Sequence, residues 1–319
     1  MAPSRDQKAE FCVLYGEELG EYGFPDPHPF SRRRLPAFWT EFISRGLKER
    51  VPIESPEMCD ETALEAFHTR AYIDFVKRAS ASGAGYLDYG DTPAFKGVFE
   101  AASRVVGTTL KALRLVVEGK YKRTFCPLGG LHHARRDRAG GFCVFNDIGV
   151  AIEQLRRIYG IRRIGYVDID AHHGDGVFYE FESDAEVFIA DIHEDGRFLY
   201  PGTGFSHETG SGEAQGTKLN LPMPPGASDD HFMRAFSEVE AFLESRRPDI
   251  ILFQCGADST ARDPIAGLEF SPHCHAYAAK RLRALAEKHA RGRLLAMGGG
   301  GYDLSNIAAT WCAVVEALI

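Results

Sequence analysis

Ile164 to Gly176 reads IGYVDIDAHHGDG. Its apolar run, Ile164, Tyr166, Val167 and Ile169, is short and gives way to glycine, which predicts a strand buried on both faces, as in a parallel sheet. In open α/β sheets, ligands collect just beyond the carboxyl ends of such strands. Chemistry is therefore expected where this run stops, among Asp168, Asp170, His172, His173 and Asp175. On an extended chain residues two apart leave the same face, so Asp170 and His172 can share one ion, with Asp168 one step deeper. The competing reading is a buried aspartate pair that caps the next loop beside a solvated histidine. Unpaired buried carboxylates are costly without a cation, which favours a half-built metal site.

The same grammar repeats outward from this strand. TFCPLGG (Thr124–Gly130), RRIGYVDID (Arg162–Asp170), VFIADIHED (Val187–Asp195), TKLNLPMP (Thr217–Pro224), DIILFQCGAD (Asp249–Asp258) and RLLAMGGGGY (Arg293–Tyr302) each read as a strand ending in polar or glycine residues. Helical spacing fills the gaps in Asn146–Gly160, Ser228–Pro248, Ser271–Gly292 and Leu304–Leu318. Strands alternating with helices predict an α/β fold with an open, mostly parallel sheet and helices on both faces. No linker, repeat or low-complexity segment interrupts the order, so residues 1–319 are read as a single domain. Nearer the start, FCVLYG (Phe11–Gly16) predicts a further strand, and Ser31–Leu47 has helical spacing that Pro36 confines to a first turn or breaks. Glu61–Ser80 is expected to be one amphipathic helix in which His68 is only packing. A long helical pattern from Ala94 to Lys120 is expected to be interrupted at Gly107.

With 44% hydrophobic and 26% charged residues in 319, the chain has the composition of an ordinary globular protein with enough apolar material for a sizeable core. No run approaches the roughly 18 apolar residues of a membrane span, and the polar start MAPSRDQKAE lacks the apolar core of a signal peptide. A cytoplasmic protein without membrane contact is expected. The formal charge of −8 argues against a broad nucleic-acid surface, while leaving room for an acidic rim that recruits a cationic substrate. The seven cysteines stand singly with no CxxC, which fits reduced core thiols better than disulfides or a cysteine-rich zinc site.

The remaining reactive residues also fall at strand ends: His132 and His133 after the Thr124 strand, Asp258 after the Asp249 strand, and Tyr302 after the Arg293 strand. Asp170, His172 and Asp258 supply two carboxylates and an imidazole, the ligand type and number of a catalytic divalent site that keeps a position open for water. Zinc and iron(II) share such ligands. Adjacent histidines raise each other's cost of protonation, and each serves as an acid or base near neutral pH if a carboxylate holds its second nitrogen; Asp168 and Asp175 are available for this. Gly298–Gly301 lack the lysine and hydroxyl residue of a phosphate loop. They are read as backbone that approaches a narrow channel, with Gly300 and Tyr302 beside whatever binds there.

GGLHHA (Gly129–Ala134), GGFCVFND (Gly140–Asp147), YVDIDAHHGDG (Tyr166–Gly176), FQCGAD (Phe253–Asp258) and GGGGY (Gly298–Tyr302), in this order, resemble the motif series of the zinc-dependent histone deacetylase family within the arginase-deacetylase superfamily. HPFSRRR (His28–Arg34) and GDTPAFKGVFEAA (Gly90–Ala102) extend the resemblance over nearly the whole chain, and IHEDGRFLYPGTG (Ile192–Gly204) is most similar to the bacterial acetoin-utilisation type. The resemblance implies an arginase/deacetylase-like three-layer fold and a metal-dependent amidohydrolase acting on acyl-lysine. It makes Asp170, His172 and Asp258 the zinc ligands, His132 and His133 the acid/base pair oriented by Asp168 and Asp175 respectively, and Tyr302 the hydroxyl that polarises the amide carbonyl. Phe142 and Tyr200 become the walls of an acyl-lysine tunnel with Gly141 on its floor, Asp91 a rim residue that grips substrate backbone, and Arg34 the lining of an internal cavity for acetate.

The family also holds potassium beneath the zinc site, through Asp168, main-chain carbonyls near Asp170 and His172, and often a serine on the next strand. Here that position is Asp191, followed by Ile192. The implied partner is an acetylated lysine protein or peptide, or a small acylated amine such as an acetylpolyamine. A binuclear arginase-like hydrolase and a non-catalytic acyl-lysine reader are the competing functions.

Overall fold

A computed structural model describes residues 9–319. Eight strands form one sheet, β1 (Phe11–Leu14), β2 (Ile53–Glu54), β3 (Arg123–Cys126), β4 (Ile164–Asp168), β5 (Val187–Glu194), β6 (Lys218–Met223), β7 (Ile250–Gln254) and β8 (Leu294–Met297). Their order is β2-β1-β3-β8-β7-β4-β5-β6, and every pairing is parallel. The sheet is thus more uniform than the sequence requires, and the short edge strand β2 is an addition. The residues of β4 and β7 are all buried, as expected of strands covered on both faces.

The helices around the sheet are α1 (Arg34–Ser44), α2 (Glu61–Leu64), α3 (Arg70–Ser82), α4 (Val98–Val117), α5 (Asp147–Arg157), α6 (Asp175–Phe178), α7 (Asp229–Arg246), α8 (Pro272–His289) and α9 (Leu304–Leu318). α4 packs on β3 and against α5, while α8 packs on β7 and β8 and against α9, which also meets α1. One apolar cluster runs through all of this from Phe11 to Leu318. Pro36 sits in the first turn of α1, where a missing N–H costs nothing.

Two expectations need correction. The helix expected over Glu61–Ser80 is two helices, α2 and α3, separated at residues 65–69. The Thr69 N–H donates to the Arg136 carbonyl at 2.8 Å, its hydroxyl caps α3 by accepting from Tyr72 N, and His68 Nε2 accepts from Asn146 N at 2.9 Å. These distant partners outweigh local helical periodicity. Conversely α4 runs unbroken through Gly107. A side chain there would meet Cys59 N and Glu57 O at 2.3 Å, so this glycine lets a neighbouring segment touch the helix.

In a parallel sheet all carboxyl ends lie along one edge. β3, β8, β7 and β4 are consecutive, so the loops carrying His132–His133, Tyr302, Asp258 and Asp170–His172 emerge side by side. The register also places Asp168 level with Asp191 on one side and Gln254 on the other.

Candidate metal centre and acid/base pair

The chain leaves β4 through two successive aspartate turns. Asp168 Oδ1 accepts from Asp170 N at 3.1 Å and Asp170 Oδ1 accepts from His172 N at 3.0 Å, so each carboxylate shapes the backbone that carries the next polar side chain. β7 ends in Gly256–Asp258, and Asp258 Oδ1 accepts from Ala171 N at 3.0 Å, tying the two loops together. Asp170, His172 and Asp258, all buried, thereby present one ligand atom each within 4.8 Å of one another. His172 Nδ1 lies 3.1 Å from Asp170 Oδ1 and 3.2 Å from Asp258 Oδ2. Gly300 closes this pocket; a Cβ there would fall 2.1 Å from Asp258 Oδ2, while its N–H donates to Asp170 Oδ2 at 2.9 Å.

Burial opposes charge on His172, yet the two carboxylates beside it prevail and raise its pKa to about 10. Burial likewise opposes charge on Asp170, but the charge of His132 and the hydrogen bond from His172 hold it well below the usual carboxylate range. Asp258 goes the other way, raised by burial and by Asp170. Two carboxylates and an imidazole packed together out of water fit a divalent cation. Among the described residues this is the one such group of three.

His132 and His133 sit on the turn after β3, which is organised by a residue the sequence reading passed over. Asp147, the first residue of α5, is fully buried and accepts from Gly130 N, Leu131 N and Thr109 Oγ1. Neighbouring Asn146 caps α5 and donates to the Ala134 carbonyl, fixing the far end of the same turn. The expected dyads then form: His132 Nδ1 to Asp168 Oδ2 and His133 Nδ1 to Asp175 Oδ1, each 2.7 Å. The carboxylates hold the Nδ1 protons and leave both Nε2 atoms for chemistry.

The pair is electrostatically split. Burial disfavours charge on His132, but Asp168 and Asp170 overcome it and lift its pKa to about 10. On His133 burial and the charge of His132 act together and depress the pKa to about 4, against the pull of Asp175. A cation on Asp170 cancels that carboxylate's share in the elevation of His132.

Tyr302 is placed from both sides. Its N–H donates to Asp263 Oδ2 at 2.8 Å, and Asp303 immediately caps α9 by accepting from Ser305 N and Asn306 N at 2.9 Å each. Burial and the charges of Asp258 and Asp170 raise its phenol well above the ordinary range, so it stays a proton donor. Its ring meets Phe142 edge to face at 5.7 Å, and Tyr200 faces His133 at 5.1 Å and His172 at 6.4 Å. Phe142 holds a φ of 68°, an unfavourable left-handed backbone for a bulky residue and a mark of a constrained site. Gly141 lies against the His133 ring. Asp91 lines the mouth beside Tyr200, and burial and the adjacent Asp88 raise its carboxyl pKa.

Arg34 is fully buried and braces the Gly298–Gly301 loop, donating to Gly301 O at 2.9 Å and Gly299 O at 2.5 Å while stacking 3.9 Å over Phe30. Asp191 has both oxygens engaged, Oδ1 with His193 Nδ1 at 2.7 Å and Oδ2 with Gly174 N at 2.9 Å. Ile192 next to it is a core residue. His173 pairs with Thr203 Oγ1 at 2.9 Å and stacks near His193, a structural place.

Gln254 is a second omission of the sequence reading. Its Nε2 donates to Asp170 Oδ2 at 2.7 Å and its Oε1 accepts from Gly256 N at 2.7 Å, joining the loops that carry Asp170 and Asp258. A lone polar residue ending the apolar run IILFQ was the signal. Tyr166, read as apolar, also donates its hydroxyl to Asp168 Oδ2.

The pattern described as the Histone deacetylase domain matches residues 28–318. The Acetoin utilization protein AcuC of Bacillus subtilis (strain 168) is 38% identical over 302 residues, 91% of this chain and 77% of that protein. The protein of the same name from Staphylococcus aureus (strain MRSA252) is 33% identical over 317 residues, 97% of this chain and 81% of its own length. Among solved structures, the crystal structure of the HDA15 HD domain superposes with a TM-score of 0.90 at 27% identity, over 98% of this chain and 88% of that one. The chain belongs to the histone deacetylase family.

Proposed function

We propose that this deacetylase-family hydrolase is a metal-dependent amidohydrolase that removes acetyl or other acyl groups from the amine of lysine side chains, releasing a carboxylate and a free amine. The observation that carries this reading is the juxtaposition of the buried Asp170, His172 and Asp258 with two histidines, each held at Nδ1 by its own aspartate. Asp170, His172 and Asp258 would hold a divalent cation, zinc or iron(II), which when bound would supply water acidic enough to act at neutral pH and a Lewis acid for the carbonyl.

The chain's own residues do the rest. Phe142 and Tyr200 admit an aliphatic stem and keep water from its flanks. The Tyr302 hydroxyl donates to the carbonyl oxygen as negative charge grows there. His133, neutral through burial and its charged neighbour, accepts a proton at Nε2, and the pair returns one to the leaving amine. Asp91 at the rim accepts from the substrate's main-chain N–H.

Potassium is the candidate for the polar row beneath. The main-chain carbonyls of Asp170 and His172 accept no hydrogen bond among the described residues, whereas Asp191 in place of serine is already committed to His193 and Gly174. No helix among the described residues is long and apolar enough to cross a membrane.

A panel of acyl-lysine peptides and acylpolyamines, with zinc, iron(II) or cobalt supplied, tests the reading through acetate release. Turnover of acyl-lysine is expected. Release from acylpolyamines alone would favour the polyamine hydrolase, and binding of acyl-lysine without release would favour a reader.

A further inference from the structure

Beside His133 and Tyr200 the mouth widens into a cavity of about 360 Å³, to which one loop contributes Arg135 and Arg138 and another contributes Asp88 and Asp91. With Asp175, which also lines it, the formal charges lean acidic, three carboxylates to two guanidinium groups, but the carboxylates are already engaged. Asp88 is consumed by its own loop: Oδ1 accepts from the N–H groups of Gly90, Asp91 and Thr92 at 3.0, 3.1 and 2.9 Å, and Oδ2 accepts from the Thr92 hydroxyl. Asp91 is weakened as an anion by burial and by Asp88 beside it. Asp175 has both oxygens occupied, by His133 and by Arg135 Nη2 at 3.0 Å.

The cationic side is freer. The Arg135 main chain is tied to the Arg138 carbonyl at 2.9 Å, its side chain is held by that one bond to Asp175 and by stacking 4.7 Å over the Tyr179 ring, and the other N–H groups of its guanidinium have no acceptor among the described residues. Its position is fixed by Asp175, which itself lines the cavity. Arg138 pairs only with the adjacent, solvent-exposed Asp137, a weak surface contact. A guanidinium immobilised at the edge of a cavity with unused donors suits a planar carboxylate.

We propose that Arg135, with Arg138, is a specificity determinant that reads a carboxylate on the substrate, namely the α-carboxylate of an acyl-lysine whose carboxyl group is free. An acyl-lysine stem lying in the tunnel between Phe142 and Tyr200 delivers its α-carbon to this mouth. The two substituents there match the two loops, the α-nitrogen donating to Asp91 and the carboxylate meeting the arginines. A mid-chain acyl-lysine lacks the anion, and an acylpolyamine brings a cation to the same place. The proposal rests on the amidohydrolase reading above.

The test compares two compounds that differ only in this group, Nα,Nε-diacetyl-lysine and its α-N-methylamide, on the metal-loaded protein and on Arg135→Gln and Arg138→Gln. A charge-assisted hydrogen bond predicts kcat/KM roughly tenfold or more higher for the free acid. Arg135→Gln should pull that ratio toward one, and Arg138→Gln should lower it. The ratio cancels any general loss that follows from disturbing Asp175. Equal kcat/KM for the two compounds in the parent protein, or a ratio that survives both substitutions, overturns the proposal. Acetate from neither compound, nor from an internal acyl-lysine peptide, overturns instead the amidohydrolase reading on which it stands.

Discussion

Each polar residue of the centre is defined by a partner. Burial, with the charges of Asp258 and Asp170, keeps the Tyr302 phenol protonated, and its backbone is fixed independently through Asp263 and the Asp303 cap. Tyr302→Phe therefore removes a donor and little else. It is expected to lower kcat by roughly tenfold or more, by the size of a lost oxyanion donor, with metal content intact by elemental analysis. Unchanged turnover would remove Tyr302 from the mechanism. Gln254 acts one step back, holding the Asp170 oxygen that also receives the Gly300 N–H. Gln254→Met keeps the volume and deletes the donor. Metal affinity in competition with a chelator is expected to fall by about 10- to 100-fold, as for other groups that orient metal ligands. An unchanged affinity would reduce Gln254 to core packing.

Among the elements, the break between α2 and α3 has a consequence in pH. His68 accepts from Asn146 N, the residue that caps α5 and holds the His132–His133 turn, so its Nε2 must stay unprotonated in the fold. Burial depresses its pKa from 6.5 to about 3. The unfolded chain takes up this proton below about pH 6.5 and the folded chain does not until about pH 3. The corresponding stability is therefore whole above pH 6.5 and is lost as pH falls through that window. Between pH 7 and pH 5 the loss assignable to this group is about 2 kcal/mol. Denaturant unfolding of the parent and of His68→Gln, whose amide oxygen can still accept, should differ by that much in pH dependence, the variant having the flatter profile. Parallel profiles would mean that His68 titrates normally. The sequence reading took His68 as mere packing because periodicity registers only local spacing, and the partners that end α2 lie roughly seventy residues away.

Across the whole molecule, what was legible was whatever repeats locally. Apolar runs ending in glycine or acid marked β3 to β8, and parallel geometry then brought Asp170, His172, Asp258, His132, His133 and Tyr302 to one edge without knowledge of strand order. Gln254, Asp147 and the role of the Tyr166 hydroxyl were not legible, because a single polar atom inside an apolar run acquires its meaning only from the strand or helix beside it. That same edge concentrates buried charge, since Asp168, Asp170, Asp191 and Asp258 are all buried on three neighbouring strands or the loops that follow them. A cation bound there stabilises the native state alone, because the unfolded chain has no preformed site. At a free metal concentration of roughly a hundred times Kd the gain is about 2.7 kcal/mol. Thermal unfolding of the parent protein should therefore shift upward when zinc is added to chelator-treated protein, and the shift should be reversed by fresh chelator. Asp258→Asn removes one ligand charge while keeping an acceptor for Ala171 N. It is expected to abolish most of the zinc-dependent shift. A zinc shift of equal size in both proteins would place the ion elsewhere.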